Sequence, residues 1–258
     1  MASARNSYAV EISFAAETIG HLGGLPITNS LLMSWITMAI LFVVGLMVGY
    51  RPTLIPGRLQ NAFEMIIDTM LNFFAEIMGS RKEAEKVFPI VFTFFIFILL
   101  SNWLGILPGI GAIGFEETAE GAEHGTKFIP LLRSSYSDLN MTLALAICSL
   151  VITHIIGISA IGIGKHIGKF ISFKSPMAFF VGILETIAEV AKILSFSFRL
   201  FGNVFAGEVL LTVMLFLMPY IAPAPFLGME LFVGFIQALV FSMLTLVFIK
   251  VAMMQTEH

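Results

Sequence analysis

The sequence predicts an all-α membrane protein with about five membrane-crossing helices and one interfacial amphipathic helix. Of the 258 residues, 58% are hydrophobic and 12% are charged, which is about half the charged share of a soluble domain. The mean hydropathy is +0.95. The apolar residues fall in runs long enough to cross a hydrocarbon core about 30 Å thick. We therefore interpret the whole chain, residues 1–258, as one integral membrane unit.

The chain opens with a polar stretch, residues 1–29, which we interpret as an arm outside the membrane. Asn29 or Ser30 can cap the helix that follows. The first predicted span is residues 31–49. It is longer than the apolar core of a secretory signal, and Arg5 is the only basic residue before it. We therefore interpret it as a retained helix rather than a cleaved leader.

Residues 58–80 have a different pattern, because polar side chains recur every four positions among apolar ones: Gln60, Glu64, Asp68, Asn72 and Glu76. This periodicity predicts an amphipathic helix lying in the membrane interface. Packing of its apolar side against the rest of the chain is an alternative, and the two interpretations are compatible. A charged loop at 81–86 and a second span at 88–107 are predicted next.

A polar loop, residues 109–137, precedes the third predicted span at 138–163. Its acidic cluster is interpreted as a solvated surface rather than an ion site. Asp138 is expected to cap the third span. A basic connection then leads to two long helices at 177–217 and 227–254, which are joined by a proline-rich turn. We expect these two helices to form a hairpin.

The predicted helix at 177–217 carries many charges for a membrane span. At about 100° per residue, five polar side chains share one stripe about 80° wide: Glu185, Glu189, Lys192, Arg199 and Asn203. A charge at bilayer depth costs roughly 2.5–3.5 kcal/mol, so this stripe is expected to face a polar cavity or a partner. One helix of this length extends about 60 Å, which predicts that it is strongly tilted.

Three short motifs bear on function: Arg199–Glu208, with the sequence RLFGNVFAGE, together with Ile236–Ala238 and Ser137–Asn140. They resemble the signature of subunit a of bacterial F-type ATP synthases, and the likeness covers nearly the whole chain from Ile27 onward. The resemblance implies a proton-translocating stator subunit. In that family, two offset half-channels deliver protons to a carboxylate of the rotating c-ring and remove them, and the last two helices lie against the ring.

Arg199 stays protonated at any physiological pH, so in a membrane helix it is a fixed positive charge. A carboxyl group passing close to it favours the ionised form. The resemblance implies that the c-ring carboxylate releases its proton near Arg199, and that the arginine prevents a direct leak between the half-channels. The alternative is an arginine paired with Glu185 or Glu189 to hold two helices together.

Glu208 and Glu230 lie at the outer ends of the last two helices and can approach each other in a hairpin. Two close carboxyl groups tend to share a proton, which suits a relay in the outer half-channel. In parts of the family a histidine stands at the position of Glu230, whereas this chain has an acid there. Exposure to water at the turn is the alternative for both residues.

Two amides, Gln237 and Asn203, cannot titrate, and the resemblance implies that they support Arg199. Hydrogen bonding between helices is the alternative for both. Asp138 also matches a family position, which adds a lining role to its expected helix cap.

The inner half-channel has its own candidates. Glu185, Lys192 and Ser195 continue the stripe towards the cytoplasmic end and can line it, and Glu185 also matches a family position on the inner path. The long stem of Lys192 can also reach the membrane interface. For Glu189, and for His154 within the third span, a lining role stays open. A lone histidine in a span more often serves packing.

Lysine and arginine are divided unequally between the two sides of the predicted spans, eight against three. The larger group is Arg51, Arg58, Arg81, Lys82, Lys86, Lys165, Lys169 and Lys174, and the smaller group is Arg5, Lys127 and Arg133. Positive charge favours the cytoplasmic side. We therefore expect the N-terminus outside and the C-terminus in the cytoplasm, in a multi-pass protein of the cell inner membrane.

The resemblance implies the c-ring, the peripheral-stalk subunit b and the remaining F1Fo subunits as partners, together with lipid and protons. No cofactor, bound metal or nucleic acid is expected, because the sequence has no nucleotide-binding loop, metal-ligand spacing, nucleophile motif or basic patch. The single cysteine, Cys148, cannot form an internal disulfide. We expect no enzymatic activity from the subunit alone.

Two other classes compete with this interpretation. A self-contained transporter predicts helices broken near the membrane midplane, which the unbroken charged helix disfavours. A structural scaffold leaves a buried arginine among carboxylates unexplained. The sequence does not decide between H⁺ and Na⁺ or give the size of the c-ring.

Overall fold

The computed structural model describes residues 17–22, 24–49, 57–107, 109–110, 113–118, 126–170, 175–218 and 223–254. Within these ranges the helices are α1 (Asn29–Gly49), α2 (Arg58–Met78), α3 (Arg81–Ile106), α4 (Leu139–Ile161), α5 (Ile163–Phe170), α6 (Pro176–Leu217) and α7 (Pro223–Met253). Two antiparallel hairpins pair β1 (Thr18–Leu22) with β2 (Leu25–Thr28), and β3 (Gly114–Thr118) with β4 (Thr126–Pro130). A 3₁₀ turn, Ser135–Ser137, leads into α4.

Five of the described helices are long and apolar enough to cross a membrane, by length and composition: α1, α3, α4, α6 and α7. The all-α membrane fold predicted from the sequence is therefore confirmed. The amphipathic helix α2 buries Phe74 and Met78 against α3 and α7. It therefore packs against its own chain, and its position in the membrane interface stays a prediction.

Two predicted connections are helical instead. The loop predicted at 81–86 is wrong, because α3 begins at Arg81. All six of these residues are good helix formers, and the Arg81 Nε donates to Glu85 Oε1 one turn later at 3.2 Å. The predicted basic connection contains α5, which buries His166. In both places the charges mark exposed helix faces rather than a break in the helix.

The start of α1 also differs from the prediction. Neither Asn29 nor Ser30 caps the helix from outside, because both are fully buried within it. The backbone N–H of Leu31 instead donates to Thr28 Oγ1 at 3.3 Å. The cap therefore comes from the last residue of β2, and the first hairpin is joined directly to α1.

The last helix begins earlier than predicted. Pro223 and Pro225, assigned to the turn, form the first turn of α7, where a missing N–H costs no helical hydrogen bond. Some predictions fall outside the described residues: the arm up to residue 16, Glu120 and Glu123 of the acidic cluster, and Pro219 of the turn.

Helices α3, α4, α6 and α7 share the main core. Phe95 and Ile98 of α3 cluster with Ala238 and Phe241 of α7 and with Leu200 of α6. Lipid tails are as apolar as these side chains, so such contacts hold the helices mainly through van der Waals packing.

Hydrogen bonds between hydroxyl groups also join these helices. Thr142 of α4 lies 2.9 Å from Ser197 of α6, oxygen to oxygen, and Ser149 of α4 lies 2.8 Å from Thr245 of α7. A helix that uses polar contacts on two sides has a fixed rotation about its axis. These contacts therefore fix the rotation of α4, and the first of them turns Ser197 of α6 towards the rest of the chain.

Helix α6 is continuous over 42 residues. Only 6% of its most apolar window is buried, against 44% for α3 and 39% for α7, so α6 is the candidate span least covered by the described chain. Most of its surface is therefore available to lipid or to another protein.

Candidate functional site

The polar stripe of α6 divides into two parts. Nearer the start of the helix, Lys192 Nζ donates to Glu189 Oε1 at 2.7 Å, and the same ammonium lies 4.5 Å from the ring centre of Phe248 on α7. Glu189 also lies 3.8 Å from the Nε2 of His154 on α4. This part of the stripe therefore faces the neighbouring helices of its own chain.

Arg199, one of the stripe residues farther along α6, has a different environment. Its Nη2 donates to Ser195 Oγ at 3.3 Å, while Nη1 is buried and has no hydrogen-bond partner among the described residues. The alternative in which Arg199 is paired with Glu185 or Glu189 does not occur, because Glu189 pairs with Lys192 and Glu185 pairs with none of the described residues. Within the described ranges, the guanidinium is a cation without a carboxylate.

The residues next to Arg199 determine its position. Phe196 and Leu200 are buried in the main core, and Ser197 makes its hydroxyl contact with α4. Because these three positions face inward, the backbone of α6 cannot rotate freely at Arg199. The arginine is held at the edge of the packed face, half-buried.

The two amides that were expected to support Arg199 are not hydrogen-bonded to it. Gln237 of α7 is half-buried, and its Oε1 has no hydrogen-bond partner in the described part of the chain. Asn203 lies half-buried one turn after Arg199. Their support of the arginine, implied by the family resemblance, stays a prediction.

Glu208 has a partner that the sequence interpretation missed. Arg133, which lies between β4 and the 3₁₀ turn, donates from Nε and Nη2 to the two carboxylate oxygens of Glu208 at 3.0 and 3.1 Å. The sequence offered one weak signal, a basic residue in a loop on the side of the membrane where Glu208 was predicted. Glu208 is therefore held by an ion pair rather than simply exposed at the turn.

Glu230 lies against α6 beside Glu208. Its Oε1 occupies the space that a Cβ atom at Gly207 would need, so a larger residue at that position would displace this carboxylate. Its Oε2 is buried without a hydrogen-bond partner among the described residues. The two carboxyl groups are therefore brought to neighbouring positions of the α6–α7 hairpin, as expected from the sequence.

Asp138 caps α4, as predicted. Its Oδ1 accepts from the Asn140 backbone N–H at 2.9 Å, and its Oδ2 accepts from the hydroxyl of Ser30 at 3.2 Å. These bonds explain why a carboxylate is only 6% exposed. Its lining role stays a prediction.

The sequence interpretation also missed His166, to which it gave no role. The Nδ1 of His154 lies 3.0 Å from the Nε2 of this buried histidine on α5. No group of three or more histidine, cysteine or acidic side chains suited to a metal ion occurs in the described ranges.

The fold and these residues define a multi-span membrane subunit with ionisable groups along its last two long helices. A family model described as ATP synthase A chain matches residues 31–250. The chain therefore belongs to the ATP synthase A chain family.

Similar proteins named ATP synthase subunit a occur in several organisms. The chain is 35% identical to that of Syntrophobacter fumaroxidans over 216 residues, covering 83% of this chain and 80% of the relative. It is 32% identical to that of Geotalea daltonii, covering 86% of both chains. It is 35% identical to that of Desulfotalea psychrophila, covering 83% of this chain and 80% of the relative.

Proposed function

We propose that this chain is the proton-translocating stator subunit a of an F-type ATP synthase. It holds two offset half-channels that deliver protons to the c-ring carboxylate and remove them, which drives rotation coupled to ATP synthesis. Each charge crossing the membrane supplies about 2.3 kcal/mol per 100 mV. The subunit itself is non-catalytic, and nucleotide chemistry belongs to other subunits of the complex.

The observation that carries this proposal is the state of Arg199. Its guanidinium is half-buried on the candidate span that the described chain covers least, and its one hydrogen bond there goes to the neutral Ser195. Burying an unpaired charge is costly, so such a group is usually paired. A carboxylate from another subunit is the partner that this site accepts.

The remaining residues, on α6 and on the neighbouring helices, are divided between the two half-channels and the surroundings of Arg199. Glu208 and Glu230, brought together by the hairpin, form the outer half-channel. Glu185, Lys192 and Ser195 belong to the inner one. Asn203 and Gln237 lie near Arg199 and orient water or the arginine, while Asp138 holds α4 beside them.

The partners follow from the same proposal. The c-ring lies against α6 and α7, and subunit b and the rest of F1Fo complete the stator. The N-terminal arm is outside and the C-terminus is in the cytoplasm, because the basic residues concentrate on the side of α2, which lies in the interface. The complex is placed in the cell inner membrane.

The test replaces Arg199 with alanine in membranes that contain the whole complex. We expect loss of ATP-driven acidification of inverted vesicles, with ATP hydrolysis by the peripheral sector retained. Arg81→Ala removes an exposed arginine from α3 and is the matched control, which should pump normally. Normal pumping by Arg199→Ala would refute the proposal.

A further inference from the structure

Four ionisable side chains form a connected series on the side of Arg199 nearer the start of α6. His166 of α5 lies 3.0 Å from His154 of α4, nitrogen to nitrogen. The other ring nitrogen of His154 lies 3.8 Å from Glu189 of α6, and Glu189 accepts from Lys192 at 2.7 Å. The series joins three helices, and the motifs that carry the family resemblance include none of its members.

His154 makes contacts with both ring nitrogens. Nδ1 is directed to His166 and Nε2 to Glu189, so the imidazole lies between two titratable groups on two other helices. A histidine that only fills space or ties two helices needs one such bond. The distance of 3.8 Å between His154 Nε2 and Glu189 Oε2 is longer than a hydrogen bond. A small side-chain movement brings the two atoms within hydrogen-bond distance, and one water molecule can bridge them.

His166 has the environment of a neutral imidazole. It is 5% exposed, its ring packs edge-on against Phe170, and the missing side chain of Gly157 leaves room for it. Burial lowers the pKa of His166, and electrostatic interaction with His154 and with the Lys169 ammonium lowers it further, whereas Glu189 opposes them. A neutral imidazole has one donor and one acceptor nitrogen, as a proton relay requires.

The charged neighbours leave the series intact. Lys169 of α5 donates to the Met254 backbone carbonyl at 3.1 Å, so its hydrogen bond is directed away from the two rings. Lys192 is held between Glu189 and the face of Phe248. A cavity of about 10 Å³ lies beside Lys192 among mainly apolar side chains of α4, α6 and α7.

The series continues towards the arginine along α6. Ser195 lies one turn beyond Lys192, and its hydroxyl accepts from Arg199 Nη2 at 3.3 Å. On a helix, residues three and four apart are neighbours on one face. Polar groups therefore follow one another from α5 to Arg199.

We propose that His166, His154 and Glu189 form a proton relay between the α5 end of the helices and the region of Arg199. This proposal rests on the function proposed above and names the groups of its inner half-channel. In the relay, protonated His166 gives the proton on its Nε2 to Nδ1 of His154 and is left neutral, with its other proton on the buried Nδ1. His154 gives the proton on its own Nε2 to the carboxylate of Glu189 and is left neutral, with its proton on Nδ1. Each transfer breaks one N–H or O–H bond and forms another. Transport in the other direction reverses the steps.

The test uses the complete F1Fo complex in inverted vesicles. His154→Gln and His166→Gln keep a polar side chain but cannot titrate, whereas His154→Glu restores a titratable group at the same place. His21→Gln changes an exposed histidine in β1 and is the matched control. The readouts are the rate of ATP-driven acidification across a pH series and the amount of assembled subunit in the membrane.

We expect both glutamine variants to slow acidification about tenfold at normal assembly, because a group that carries protons by acid–base transfer has been removed. His154→Glu should recover much of the rate, because it restores an acid–base group at the same place. His21→Gln should pump normally.

The relay is overturned if His154→Gln assembles and pumps at the normal rate. It is also overturned if His154→Glu is no faster than His154→Gln, since a purely structural histidine predicts that result. Arg199→Ala separates this failure from a failure of the function itself. If Arg199→Ala stops pumping and His154→Gln does not, the subunit is the stator and only the relay is wrong.

Discussion

Arg133 and Glu208 form a two-point ion pair between residues 75 positions apart, with both carboxylate oxygens accepting. Such geometry fixes the plane of the carboxylate as well as its distance. The arginine side chain is 10% exposed and the glutamate 36%. A member of the proposed outer half-channel is therefore held by a cation of its own chain.

Arg133→Ala is expected to lower proton pumping and to destabilise the subunit by about 1–3 kcal/mol, between the values for exposed and buried pairs. Arg133→Lys should recover only part of the loss, because an ammonium cannot make the planar two-point contact. Acidification rates and thermal stability of the purified complex measure both effects. Arg58→Ala, at an exposed site on α2, is the control. Full recovery by lysine would contradict the importance of the two-point geometry.

Gly207→Ala is expected to reduce pumping about tenfold or more, because the new methyl group displaces the carboxylate of Glu230 from α6. Gly228→Ala adds the same methyl group to the hairpin in open space and should pump normally. Both variants are measured by ATP-driven acidification at matched assembly. Equal rates for the two variants would show that the position of Glu230 does not matter.

Gly182→Ala is expected to destabilise the contact between α5 and α6, since its methyl group would collide with the backbone carbonyl of Phe170. Overpacking of this kind costs about 1–3 kcal/mol. Gly164→Ala, in α5 with no atom near the added group, should be neutral or slightly stabilising. Thermal inactivation of the complex compares the two variants, and a Gly182→Ala variant as stable as the wild type would disprove the close contact.

Tyr136→Phe is expected to reduce the loss of stability at alkaline pH. Burial raises the pKa of Tyr136 above its ordinary value near 10, so the folded chain keeps this phenol neutral. The stability that this provides is complete below about pH 10 and is lost as the pH rises through the folded pKa. Thermal midpoints at pH 8 and pH 11 should therefore fall less in the phenylalanine variant. An equal fall in both proteins would exclude Tyr136 as a cause.

The spans could be predicted because each is a long apolar run, and membrane helices satisfy their own backbone hydrogen bonds. The two β-hairpins could not, since each strand has only four or five residues and too few side chains to show a period. The loop predicted at 81–86 is wrong because a run of charges also occurs on the exposed surface of a helix. Lysine, glutamate and alanine favour a helix wherever its surface is wet.

The site, like the fold, could be predicted from the sequence only in part. Helical periodicity was sufficient to place Glu189, Lys192 and Arg199 on one stripe, because these residues share a helix. The partners Arg133 and His166 were missed because they come from other elements, and packing between helices determines which side chains meet. No local pattern at position 133 or 166 encodes that choice.

Because α6 is unbroken, it fixes the distances between the ionisable residues along it. Glu189 precedes Arg199 by ten residues and Glu208 follows it by nine, which places the two acids about 15 Å and 13 Å away along the rod. Neither acid can reach across that distance to neutralise the arginine. Inserting a single residue in α6 between Glu189 and Glu208 would turn the residues after the insertion by about 100° about the helix axis. The spacing and the orientation of these side chains are therefore set together.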